Sequence, residues 1–199
     1  HAPQYVEELI AASPSVAQGI HRVDPDTSMN PYTVKAALRA AGAVVQATDL
    51  VIAGEVPTAF CAIRPPGHHA ERAAAMGFCF FNNVAVGIRH ALDVHGLERV
   101  ALIDFDVHHG NGSEDIFRGD PRVLMCSIFE QGLYPYNGDS ATGPNMVNVG
   151  LPTRSSGDKF REAVTTQWIP ALDAFKPQLI YISAGFDAHR EDDMGNLGF

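Results

Sequence analysis

Two stretches concentrate side chains able to hold a metal and move protons. The first is His68-His69, preceded by Arg64-Pro65-Pro66-Gly67; the second is Asp104-Phe105-Asp106-Val107-His108, followed by His109-Gly110-Asn111-Gly112. The apolar run Val100 to Ile103 feeds into the second, which therefore reads as a buried strand with polar groups at its end. Side chains of an extended chain alternate between faces, so Asp104, Asp106 and His108 are expected on one side, with Phe105 and Val107 on the other. Several carboxylates buried unpaired would be prohibitive, and a bound cation is the simplest account of them. A further carboxylate, Asp187, follows the apolar run Gln178 to Ser183 through Ala184-Gly185-Phe186.

Asp106, His108 and Asp187 make a three-ligand set that leaves positions open for water and substrate, as at a catalytic zinc. Zinc would polarise a carbonyl oxygen and bring the pKa of its bound water towards about 7, which points to a hydrolase. Iron(II) suits the same donors. His68 and His69 then supply general base and general acid, with Asp104 and Asn111 as candidate partners for their second ring nitrogens. An Asp partner favours the imidazolium more than an Asn does, which would divide the two roles. His109 reads as a packed structural residue. His1, His21, His90, His95 and His189 are scattered and are assigned no role.

The elements that must position these groups follow from periodicity. Pro3 to Ala12 is a short amphipathic helix, Gly19 to Pro31 an exposed loop, and Pro31 opens a helix with Val34, Leu38, Ala41, Val45 and Ile52 at helical spacing. Thr58 to Ile63 reads as a short strand. Asn82 or Asn83 caps a helix running to about Val94, which His95-Gly96 ends. Further strands are expected at Arg99 to Phe105, Val123 to Ile128 and Gln178 to Ser183, and helices from Ser113 and over Asp158 to Phe175. Glu130 to Pro144 reads as a long loop. Strands alternating with helices indicate an α/β fold with a mostly parallel sheet, in which ligands bind beyond the carboxyl ends of the strands. The histidine pair, the Asp106 and His108 segment and Asp187 all belong to such ends, and are expected to share one site.

Composition bounds the rest. With 199 residues, 46% hydrophobic and 19% charged, the chain can bury a real core, and a single domain over residues 1-199 is expected. It begins at His1 and stops at Asn196-Leu197-Gly198-Phe199 without a cap, so a fragment is expected. No run is long enough to span a membrane, and a cytoplasmic location is expected. Cys61, Cys79 and Cys126 have no Cys-x-x-Cys spacing and read as structural thiols. A net charge of −9 without a basic cluster argues against direct nucleic-acid binding and suits a cationic substrate. Oligomeric state is left open.

Four ordered motifs, Arg64 to His69, Gly77-Phe78-Cys79-Phe80-Phe81-Asn82-Asn83, Asp104 to Gly112 and Ser183 to Asp187, resemble the zinc-dependent histone deacetylase and acetylpolyamine amidohydrolase family. The Arg-Pro-Pro-Gly and Gly-Asn-Gly variants look closer to class II and bacterial deacetylase-like members. The resemblance implies a three-layer α/β/α, arginase/deacetylase-like fold, incomplete at the C-terminal end. It implies zinc ligands Asp106, His108 and Asp187 and the catalytic pair His68 and His69. Asp104 matches the partner of His68, and Asn111 stands where many members have Asp. Gly77 and Phe78 match one wall of an acyl-lysine tunnel, Tyr134 the opposite wall, and Asp26 a rim carboxylate that grips the substrate backbone. A structural potassium ion on Asp104, Asp106, His108, Ser127 and the Ile128 carbonyl is implied too.

The family also carries a downstream Gly-Gly-Tyr segment that these residues do not contain. Losing one oxyanion donor costs about 10² to 10³ in rate. The expected activity is removal of acetyl or other acyl groups from acetyl-lysine of peptides and proteins or from related amines. Alternatives are an acetylpolyamine deacetylase and a truncated or non-catalytic acyl-lysine-binding module. A binuclear manganese ureohydrolase is disfavoured, because Asp187 lacks an Asp two residues away.

Overall fold

In the computed structural model, which describes residues 1–199, contacts group the chain into two units, His1–Gly96 and Leu97–Phe199. In the first, helix α1 (Pro3–Ala11) begins with a proline in its first turn, where no N–H is needed, and buries Tyr5 and Leu9. A two-residue hairpin, β1 (His21–Arg22) with β2 (Ser28–Met29), occupies the stretch expected to be an exposed loop. The loop expectation failed because the polar tract carries two inward anchors, Thr27 and Met29, both fully buried.

Helix α2 (Thr33–Ile52) turns inward a face of small residues, Ala37, Ala40 and Ala41, with Val34 and Thr48. Leu38, expected inward, is 49% exposed. Helix α3 (Asn83–Asp93) packs on α2, and its N-cap Asn82 accepts a hydrogen bond from the Ala85 N–H at 3.1 Å. Gly96, at φ +70°, turns the chain after it. The expected strand over 58–63 does not form: a strand is stabilised by its ladder, and this run pairs with no strand while Phe60 stands 76% exposed.

The second unit holds a four-stranded, wholly parallel sheet in the order β5-β4-β3-β6: β3 is Val100–Asp104, β4 Val123–Glu130, β5 Met146–Leu151 and β6 Leu179–Ser183. Strand β4 is buried along all eight residues, as the continuous apolar run Val-Leu-Met-Cys-Ser-Ile-Phe requires. Helix α4 (Asn111–Phe117) follows β3. Helices α5 (Gly157–Ala163) and α6 (Ile169–Phe175) form the one expected helix, interrupted by a π-helical turn over Val164–Trp168. Pro170 has no N–H to give the carbonyl four residues back, and the ladder adjusts there.

Strand β5 escaped the sequence reading because its apolar residues are broken by Asn148 and Gly150 beside a glycine-rich loop. Strand β6 was expected to be a buried strand, yet it lies at the edge of the sheet and its Ile180 and Ile182 are 49% and 57% exposed. The core beneath the sheet joins Leu124, Cys126 and Ile128 of β4 to Val149, Leu151, Trp168 and Val107. The three cysteines are free thiols, and burial pushes that of Cys126 up to about 12, well away from reactivity.

Candidate active site

The second unit gathers a candidate metal-ligating group at the ends of two neighbouring strands. Strand β3 stops at Asp104, whose register partners are Ser127 on β4 and Ser183 on β6. Asp106 and His108 therefore do not continue a strand with period two, as expected, but sit in a turn beyond it. Aspartate side chains make that turn: Asp104 Oδ1 accepts from the Asp106 N–H at 3.2 Å, and Asp106 Oδ1 from the His108 N–H at 2.9 Å. The turn brings His108 round to the same side as Asp106, which strand alternation would also have done, whereas Asp104, expected on that face too, is not among the ligand atoms that cluster with them. Val107 in between is fully buried and anchors the turn in the core, its N–H donating to Asp187 Oδ1 at 3.0 Å.

Asp106, His108 and Asp187 each present a ligand atom, all lying within 4.8 Å of one another. His108 Nδ1 is 2.9 Å from Asp106 Oδ1 and 3.1 Å from Asp187 Oδ2. Side-chain exposures of 18%, 11% and 18% leave the three covered but reachable. Burial opposes charge on His108, but hydrogen bonds to the two carboxylates outweigh it and push its pKa up to about 9. Two carboxylates facing one imidazole thus stabilise a positive charge at their centre, and the donor set of one nitrogen and two carboxylates fits a divalent ion of zinc's class. Gly185, between β6 and Asp187, has no side chain because a Cβ there would overlap the Asp106 carboxylate.

Around this centre, Tyr134 packs edge-on with its ring centroid 6.3 Å from that of His108. Asp104 and Ser127 are fully buried. Asn111 is buried at the start of α4, with its N–H on the His109 carbonyl at 2.9 Å. His109 is the packed structural residue expected: it is 2% exposed, and its Nε2 meets Glu114 Oε2 at 2.5 Å.

In the first unit His68 and His69 are 7% and 4% exposed, with ring centroids 4.0 Å apart. The segment before them is tied to the start of α3. Asn83 Nδ2 donates to the Pro65 carbonyl at 3.0 Å and Asn82 Nδ2 to the Ala70 carbonyl at 3.3 Å, while the Ala70 N–H closes on the Gly67 carbonyl at 3.0 Å. Gly77 lies at φ +56°, and a Cβ there would run into the His69 ring. The Gly77 N–H donates to Asp26 Oδ1 at 3.2 Å, and the Phe78 N–H to Thr27 Oγ1 at 3.0 Å. Thr27 in turn donates to Asp26 Oδ1 at 2.7 Å. Asp26, Gly77, Phe78 and His69 are thereby one connected group, with the Phe78 ring 52% exposed. Sequence reasoning missed Thr27, Glu114 and Gly185, whose importance lies in contacts distant along the chain.

Comparison with known proteins follows the same outline. The histone deacetylase domain profile matches residues 1–199. The chain is 38% identical over 204 residues to a histone deacetylase-like amidohydrolase of Pseudomonas aeruginosa, covering 99% of this chain and 53% of that protein. It is 35% identical to the polyamine deacetylase HDAC10 of Mus musculus, covering 99% and 32%. The crystal structure of the HDA15 HD domain superposes with a TM-score of 0.91 at 34% identity, covering all of this chain and 59% of the other. The chain thus spans about half the length of the Pseudomonas protein and a third of the mouse one.

Proposed function

Because the chain belongs to the histone deacetylase family, we propose that it serves the hydrolysis of acyl amides, removing acetyl groups from acetyl-lysine of peptides or proteins or from related acylated amines. The observation that carries this reading is the convergence of Asp106, His108 and Asp187 from two strand ends, covered yet reachable. These residues would hold zinc, or iron(II), which when bound supplies a Lewis acid for an acyl carbonyl and a water of lowered pKa. His69 would take the role of general base towards water and general acid towards the leaving amine, with His68 as its charged partner. By the family resemblance Asp104 would be the orienting partner of His68 and Asn111 the weaker partner of the second ring.

In this reading Gly77 and Phe78 of the first unit and Tyr134 of the second would be the residues for the aliphatic stem of the acylated amine. Asp26, whose Oδ1 already receives Gly77 and Thr27, offers Oδ2 to N–H groups of the substrate backbone. A structural potassium ion belongs to the same reading, on Asp104, Asp106, His108, Ser127 and the Ile128 carbonyl; the burial of Asp104 beside Ser127 favours a cation there. The net charge of −9 suits a cationic substrate, and the likeness to a polyamine deacetylase keeps acetylated polyamines as the second substrate class. No helix is long and apolar enough to cross a membrane.

Acetate release from an acetyl-lysine peptide and from an acetylated polyamine, side by side, tests the proposal on zinc-loaded protein with Asp106→Ala as control. Turnover that disappears in the control supports it, and the faster substrate selects the class. No uptake of zinc at micromolar concentration, or acyl-peptide binding without hydrolysis, would overturn it, the second outcome leaving a binding module.

A further inference from the structure

A second group of metal-competent side chains lies wholly within the first unit and takes no part in the proposed hydrolysis. Asp49 stands in the last turn of α2, His90 in the last turn of α3, and His95 in the short segment after α3, just before Gly96 reverses the chain. Both imidazoles turn the same nitrogen to the same oxygen: His90 Nε2 and His95 Nε2 are each 2.7 Å from Asp49 Oδ1. The rings meet edge to face with centroids 5.1 Å apart, and the three ligand atoms lie within 4.8 Å of one another.

We propose that Asp49, His90 and His95 form a surface site for a divalent transition ion of the zinc class. Three features of the geometry support this. The donor set is two imidazole nitrogens and one carboxylate, which borderline ions such as Zn²⁺ prefer and hard ions such as Mg²⁺ and Ca²⁺ do not. Two helices end here, and the partial negative charge of each C-terminus favours a cation beside its last turn. The site is also open: side-chain exposures of 20% for His90, 25% for His95 and 50% for Asp49 let an ion enter and keep water in its remaining positions.

The arrangement differs from an ordinary surface ion pair. One carboxylate oxygen serves two ring nitrogens, so both imidazoles are already turned inward, and an ion would replace the shared hydrogen bonds by bonds of about 2.0 to 2.2 Å once the oxygen draws back from the two nitrogens by a few tenths of an ångström. Bound there, an ion would tie the end of α2 to the segment that follows α3, fixing the packing of these helices. The role is structural or regulatory and independent of the acyl-amide reading.

Zinc stoichiometry by equilibrium dialysis at micromolar Zn²⁺ tests this on the whole chain, on a His90→Ala, His95→Ala double variant and on Asp106→Ala. Two equivalents for the whole chain, falling to one in each variant, would support two separate centres. Unchanged stoichiometry in the double variant would overturn this site, whereas unchanged stoichiometry in Asp106→Ala would count only against the strand-end centre. Imidazole ¹⁵N spectra of the unaltered chain need no variant: zinc should move the Nε2 resonances of His90 and His95, and resonances that stay in place at saturating zinc would overturn the proposal.

Discussion

Glu114 Oε2 meets His109 Nε2 at 2.5 Å in the interior of the second unit, and its other oxygen accepts from both the N–H and the Oγ1 of Thr142, at 2.8 and 2.7 Å. Asn148 Nδ2 adds a contact to Oε2 at 3.2 Å. One buried carboxylate thus joins α4, the loop before β5 and β5 itself to the histidine that follows His108. Burial would raise its pKa, but the hydrogen bonds from His109 and Thr142 outweigh that and bring it down to about 2 from an ordinary 4.5.

The sign of the resulting pH dependence is fixed. A depressed carboxylate stabilises the fold fully above its unfolded pKa, and that stability is lost as pH falls from about 4.5 towards 2. A shift of this size corresponds to about 3 kcal/mol. Urea denaturation between pH 7 and pH 3 should show stability falling at the acid end, and Glu114→Gln should flatten the fall. Because an amide must turn an N–H towards one of the donors, the variant should also be less stable at pH 7 by about 1–3 kcal/mol. An unchanged slope in Glu114→Gln would show that another group sets the acid limit.

Gly77→Ala tests how the second histidine is seated. Its φ of +56° is costly for any residue with a Cβ, about 1–2 kcal/mol, and the new methyl group would overlap the His69 ring. Thermal or urea unfolding should register at least that loss, and the environment of His69, read from its imidazole NMR resonances, should change while that of His90 does not. A shift at neither histidine would mean that the backbone of 76–79 absorbs the methyl group.

Thr27→Val is nearly isosteric, so its effect isolates the hydroxyl. The variant leaves the Phe78 N–H without the 3.0 Å acceptor and removes a donor from Asp26, in a position with no solvent access. The cost should be about 1–3 kcal/mol in unfolding free energy. If Phe78 bounds the substrate, the Michaelis constant should rise more than the turnover number falls.

What the sequence disclosed and what it concealed divide along a physical line. Strand β3, the N-cap at Asn82, the turn at Gly96 after α3 and the closeness of Asp106 to His108 were legible because each depends on residues close in sequence: an apolar run, a capping side chain, a turn glycine, or polar groups directly after a strand. Strand β5 was hidden because Asn148 interrupts its pattern, and its value to the fold lies in that residue's bond to Glu114. The 58–63 run shows the converse, with β-prone residues and no partner strand. His90 and His95 looked scattered because the carboxylate they share, Asp49, lies more than forty residues before them, and only the packing of α3 on α2 reveals that both face its one oxygen.

Gly185→Ala is the sharpest test of the strand-end centre because it adds one methyl group and removes no ligand. A Cβ at this position overlaps the Asp106 carboxylate, which must then swing away from His108 or push the backbone between β6 and Asp187 outward. Either movement separates ligands that now lie within 4.8 Å, and metal affinity depends steeply on that geometry. Displacing the groups that orient metal ligands costs about 10- to 100-fold in affinity, and moving a ligand itself should cost at least as much. Competition with a chromophoric chelator should therefore show zinc held at least tenfold more weakly by Gly185→Ala, with the sheet intact by circular dichroism. Unaltered affinity in a folded variant would show that Asp106 is not held in place by the absence of a side chain at 185.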